Sequence, residues 1–123
     1  MLTLTEIFGI IIIHWIADFV LQTDKQAKGK SKEWKPLLSH TFTYSMIWVI
    51  IGCILYLFNL TNINFALFGL ITFAAHTVTD YFTSRLNSKL WAKGDVHNFF
   101  VSVGFDQVLH YIQLFLTYWY LVK

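Results

Sequence analysis

Four stretches of this sequence are apolar over about 20 residues each, the length at which an α-helix crosses the hydrocarbon of a bilayer. They run from Leu2 to Thr23, Leu37 to Phe58, Phe65 to Ser84 and Phe99 to Leu121. A soluble amphipathic helix would carry a polar stripe along its length, and the segment from Met46 to Leu57 has none. The fold expected is therefore all-α: an integral membrane four-helix bundle forming a single domain over residues 1–123. With 56% hydrophobic and 13% charged residues, the composition is that of a membrane protein rather than of a soluble core. The net charge of +2 is too small and too localised for a nucleic-acid binder. Cys53, the lone cysteine, excludes an intrachain disulfide and reads as packing. The first apolar run has no basic leader and continues into His, Trp and Asp, so a removable signal peptide is not expected.

The connections between the runs set an orientation. Lys25, Lys28, Lys30, Lys32 and Lys35 lie between the first two runs, and Arg85, Lys89 and Lys93 between the last two. The connection from Asn59 to Asn64 has no charge. Eight of the nine basic residues thus share one side, which the positive-inside rule makes cytoplasmic. Both termini then face outward, and the location expected is the inner (cytoplasmic) membrane. Trp34 and Trp91 would mark the inner interface, and Pro36 suits the first turn of the second helix, where its missing N–H matters least.

Within these apolar runs lie ionisable side chains in a repeated pattern. His14 precedes Asp18 by four residues, His76 precedes Asp80 by four, and Asp106 precedes His110 by four. Residues four apart share a helix face, so each pair points one way. His40 stands near the start of the second run. At a rise of about 1.5 Å per residue, Asp18, His40, Asp80 and Asp106 fall within one or two turns of the basic end, with His14, His76 and His110 a turn deeper. The order of these residues also makes the two halves look like diverged copies of one helical hairpin. Each ionisable group costs roughly 2.5 to 3.5 kcal/mol at a helix centre on insertion scales, and such groups mark function.

A single pair of this kind can be an intrahelical hydrogen bond. Three pairs and His40 at matched depth argue for one shared site. Imidazole and carboxylate donors without thiolate suit Zn most readily, with Mn, Fe or Ni as alternatives. His14, His40, His76 and His110, with Asp18, Asp80 and Asp106, exceed what one four-coordinate ion needs, so one or two ions are expected. The Asp residues can serve as ligands, as partners that orient imidazoles, or in one case as general base. Haem ligation would leave the Asp beside three of the histidines unexplained. A proton or ion path uses the same residues.

These residues carry a resemblance. His14-x-x-x-Asp18-Phe19-x-Leu21-Gln22 with its Lys-rich loop, Leu37-Leu38-x-His40, His76-x-x-x-Asp80 and Asp106-Gln107-x-x-His110 resemble the small bacterial and phage membrane proteins grouped as domain of unknown function family 3307. The resemblance spans nearly the whole chain and implies no activity. A looser similarity, in the His-x-x-x-Asp pattern alone, points to predicted membrane-bound metal-dependent hydrolases. The expected function is a metal-dependent hydrolase acting in contact with membrane lipid on a lipid-linked or phosphorylated substrate. The competing readings are a metal-ion or proton transporter or channel, for which a homo-oligomer is expected, and a phage-type structural or interaction protein.

Overall fold

The computed structural model describes residues 2–122. Five α-helices and one π-helical turn follow one another: α1 (Leu4–Trp15), the π turn (Ile16–Val20), α2 (Asp24–Gly29), α3 (Trp34–Leu57), α4 (Phe65–Ala92) and α5 (Val96–Val122). Among the described residues, α3, α4 and α5 are long and apolar enough to cross a membrane. The chain is an all-α, multi-pass membrane protein. Its outward faces agree, because Phe42, Ile50, Leu70, Phe82, Phe105 and Leu116 are all exposed and have lipid as their natural solvent.

α4 is the central helix, packed along α3 on one side and α5 on the other, while α1 leans on α5 and the π turn touches α3. Close approach of α3 and α4 depends on glycine. A Cβ on Gly52 would run into the Phe65 ring, and one on Gly69 would run into Val49. Small residues at such contacts let helix backbones meet in lipid, where no hydrophobic force drives helices together. The half of the bundle remote from the basic loops is filled by Ile10, Trp48, Phe65, Phe68 and Leu114.

The helix ends differ from the sequence expectation at several points. The first segment stops being helical at Val20 rather than Thr23, because Thr23 caps α2 through a capping box with Gln26. α3 begins at Trp34 instead of Leu37, with Pro36 still in its first turn. α4 continues to Ala92, well past Ser84, and α5 begins at Val96 rather than Phe99. Polar residues such as Arg85, Asn87 and Lys89 end an apolar run without ending a helix. Asp95, just before α5, accepts hydrogen bonds from the Asn98 side chain at 2.8 Å and the Asn98 backbone N–H at 3.3 Å, which hold its carboxyl below the usual range. Cys53 is not packed inside; it lies exposed on the surface of α3.

Candidate metal centre

The interior at the basic end of the bundle is polar. His14, His40, His76 and His110 are buried to 1% exposure or less, and Asp18, Asp80 and Asp106 are buried with them. The π turn supplies Asp18: its backbone N–H of Leu21 bonds the Ile16 carbonyl at 2.9 Å, five residues back, widening the helix at this point. Such turns are rare and cluster at functional sites.

His40 from α3, His76 and Asp80 from α4, and Asp18 aim four donor atoms at one region. His40 Nε2 lies 3.0 Å from Asp18 Oδ1, 3.3 Å from His76 Nε2 and 3.4 Å from Asp80 Oδ2. His76 Nε2 lies 3.4 Å from Asp18 Oδ1 and 3.6 Å from Asp80 Oδ2. Four ligands held tetrahedrally at about 2.0 to 2.1 Å from a zinc-like ion stand roughly 3.3 to 3.4 Å apart, so this donor set fits a divalent metal in both chemistry and spacing. A second group adjoins it. Donor atoms of Asp18, Asp106 and His110 lie within 4.8 Å of one another, and His110 Nε2 is 3.3 Å from both Asp80 Oδ1 and Asp106 Oδ1. Asp18 belongs to both groups, and Asp80 turns one oxygen toward each. The two buried clusters could therefore coordinate one or two divalent ions.

Other side chains fix the orientation of these donors. Tyr44, His76 and His110 stack in a column, with ring centroids 4.0 and 4.1 Å apart. That column holds His76 in place, since its Nδ1 is buried without a hydrogen-bond partner. His110 Nε2 is also without a partner, because neither nearby carboxylate is aligned for a hydrogen bond. A buried imidazole nitrogen 3.3 Å from two carboxylate oxygens, and hydrogen-bonded to neither, is a donor that a divalent ion could use. Asp106 is set by Thr83, which donates to Oδ1 at 2.6 Å, and by Gln107, which donates to Oδ2 at 3.1 Å.

His14 stands beside the clusters rather than within either donor group. Its Nδ1 pairs with the Tyr44 hydroxyl at 2.6 Å and its Nε2 with Gln107 at 2.7 Å, leaving Asp18 at 3.8 Å. Gln22, past the end of the helix, bonds the Asp18 carbonyl at 3.2 Å.

Three participants were not visible as such in the sequence. Tyr44 follows His40 by four residues, a spacing that places it on the same face. Gln107 adjoins Asp106 in the chain. Lys30 reaches in from the loop after α2, its Nζ 2.8 Å from Asp80 Oδ2 and its side chain only 18% exposed. Burial alone would pull this ammonium down, yet the carboxylates of Asp80, Asp18 and Asp106 hold it above the usual lysine value.

Residues 7–123 match a family described as Protein of unknown function (DUF3307). The chain belongs to that family. No curated protein and no solved structure matches it. As a DUF3307 protein it places its buried His and Asp residues at one end of a membrane bundle.

Proposed function

We propose that this DUF3307 protein is a metal-dependent hydrolase of the membrane, acting on a lipid-linked or phosphorylated substrate. The observation that carries the reading is that His40 Nε2 and His76 Nε2, 3.3 Å apart, each lie 3.0 to 3.6 Å from Asp18 Oδ1 and Asp80 Oδ2, close to the spacing of a coordination shell. His110 and Asp106 complete a second position that shares Asp18. Helical bundles build paired metal sites from facing helices in this way. Zn is the first candidate by donor chemistry, followed by Mn, Fe and Ni. A bound ion would lower the pKa of water and polarise a phosphoryl or carbonyl group. The protein's own part is to hold the donors: Thr83 and Gln107 orient Asp106, and the ring column orients His76 and His110. Asp18, Asp80 and Asp106 serve as ligands or as partners of the imidazoles, and one of them acts as general base.

The reading includes four crossings. α1 and the π turn together run from Leu4 to Val20 and complete the bundle that α3, α4 and α5 leave open on one side. The basic loops adjoin the cluster, so the site faces the cytoplasm, the termini lie outside and the protein resides in the inner membrane.

Elemental analysis of detergent-purified protein tests the metal. One or two equivalents in the wild type, lost in an Asp18→Ala, His76→Ala double variant, are expected; equal metal content in both would overturn the reading. Hydrolysis of phosphate esters by the metal-loaded wild type, absent from the variant, tests the activity.

A second reading, passage of a metal ion or proton, draws on a separate observation. Beyond the cluster, Gln113 bonds Thr72 and Thr117, both buried, at 3.1 Å each, extending polar groups toward the opposite side. Metal flux into liposomes without ester hydrolysis would select it.

A further inference from the structure

A cavity of about 650 Å³ opens at the basic end of the bundle, between the loop after α2, the last turns of α4 and the start of α5. Its wall nearest the metal centre contains Lys30, the residue whose ammonium holds Asp80. Lys30 therefore touches both the cavity and a donor residue of the metal centre. Ser84 and Asn87 follow Asp80 by one and two turns on α4 and line the same space. Both carry a buried oxygen with no hydrogen-bond partner, Ser84 Oγ and Asn87 Oδ1. Lys32 adds a second cation. The opposite wall is aromatic, with Trp91 and Phe99 in contact at 5.0 Å between ring centroids, and Phe100 exposed beside them.

Charge decides what such a cavity can hold. Asp18, Asp80 and Asp106 contribute three negative charges and Lys30 one positive charge. One divalent ion would bring the centre to neutrality, and two would leave it at +2. The second state calls for a dianion, and a phosphate monoester supplies that charge together with acceptor oxygens for Lys30, Ser84 and Asn87. The Asn87 amide can present its NH₂ to such an oxygen by rotating about its last torsion.

We infer that this cavity is the headgroup pocket of the hydrolase, taking a phosphate monoester presented by a membrane lipid at the leaflet surface. The inference rests on the metal-hydrolase reading for its link to chemistry, although the pocket's binding can be measured without turnover. Lys30 meets the phosphoryl oxygens on one side and Asp80 on the other. Ser84 uses a hydroxyl that the protein leaves without a partner, Asn87 donates through its NH₂ after rotation, and the aromatic wall receives the start of the lipid's apolar portion. The position of the cavity at the basic end matches the attraction of anionic headgroups to lysines near a membrane surface.

Calorimetric titration of the detergent-purified, metal-loaded full chain tests this. The probes are dioctanoyl phosphatidic acid, dioctanoylglycerol, which lacks the phosphate, and inorganic phosphate. Saturable binding of the phosphatidic acid is expected, at least tenfold tighter than either control. Asn87→Leu, which fills the pocket with an apolar side chain, should weaken it tenfold or more, and Ser84→Ala several-fold, with metal content unchanged in both. Equal binding of dioctanoylglycerol, or unaltered affinity in both variants, would overturn the proposal. Inorganic phosphate binding as tightly as the phosphatidic acid would overturn the lipid source and assign the pocket to soluble phosphate compounds. Selective phosphatidic acid binding by wild-type protein that retains no metal would support the pocket and overturn the metal reading. Metal-loaded protein without such selectivity would do the reverse.

Discussion

His40 and His76 bring their Nε2 atoms to 3.3 Å from each other, and both face Asp18 Oδ1, at 3.0 and 3.4 Å. Two neutral imidazoles and one carboxylate oxygen can satisfy only part of this arrangement by hydrogen bonding. A shared ion satisfies all of it, because each nitrogen then offers a lone pair to the same point.

The first prediction separates the histidines by role. His40→Ala and His76→Ala each remove a donor from the four-atom group and should lower bound metal by at least one equivalent. His14→Ala removes a residue whose nitrogens already serve Tyr44 and Gln107. It should keep the metal and lose about 1 to 3 kcal/mol of stability, the usual cost of buried hydrogen-bonding groups left unpaired. Elemental analysis together with thermal melts of the three proteins checks both halves. Metal lost from the His14 variant but kept in the other two would invert the assignment.

The second concerns pH. Metal binding needs neutral imidazole, and the ring ordinarily titrates near about 6.5. Protons therefore compete with the ion as pH falls, and with two imidazoles in one site the apparent affinity should weaken by up to about a hundredfold per pH unit below about pH 6. Competition against a chromophoric chelator between pH 5 and about pH 8 measures this directly. A flat profile would mean that carboxylates alone hold the ion.

The apolar runs made α3, α4 and α5 legible from the sequence, since a helix satisfies every backbone polar group of so long an apolar run within the run itself. Their ends were less legible. Hydropathy reports where lipid stops, whereas α4 continues as a helix through Asn87, Lys89 and Trp91 in water or at the interface. The fixed helical rise also placed Asp18, His40, Asp80 and Asp106 within one or two turns of the basic end, with His14, His76 and His110 a turn deeper. The π turn has no local signature, because the widened turn that aims Asp18 at His40 and His76 is set by packing across helices. Lys30 was legible only as one of a group of loop lysines. Its reach to Asp80 depends on how α2 folds the loop back, which is long-range information. Residues at matching places in the proposed repeat also diverge in role: His76 joins the four-donor group, whereas His14 is held by Tyr44 and Gln107.

Helix packing supplies a third prediction. Gly52 and Gly69 face Phe65 and Val49 with no room for a Cβ. Gly69→Val must push α3 and α4 apart or force side chains from their rotamers, at a cost of about 1 to 3 kcal/mol. Gly104, where a Cβ would meet nothing within 4 Å, is the control. Gly104→Ala should leave the melting temperature unchanged or slightly raised, as helix propensity favours Ala by up to about 1 kcal/mol. A melting temperature equally insensitive to both changes would show that the close α3–α4 approach contributes nothing to stability.

The last prediction concerns the cation already present in the cluster. Lys30 is bonded to Asp80 at 2.8 Å, and its removal leaves three buried carboxylates facing one another. Breaking a buried pair on one side can cost roughly 3 to 5 kcal/mol, and the partial exposure of Lys30 puts its own value below that range. A bound divalent ion would take over the same neutralising task. Lys30→Met should therefore be tolerated in metal-loaded protein and become destabilising after chelation. The melting temperature should fall further on adding chelator in the variant than in the wild type. An equal fall in both would show that Lys30 and the metal act on separate charges, and would remove the charge argument for a dianionic substrate.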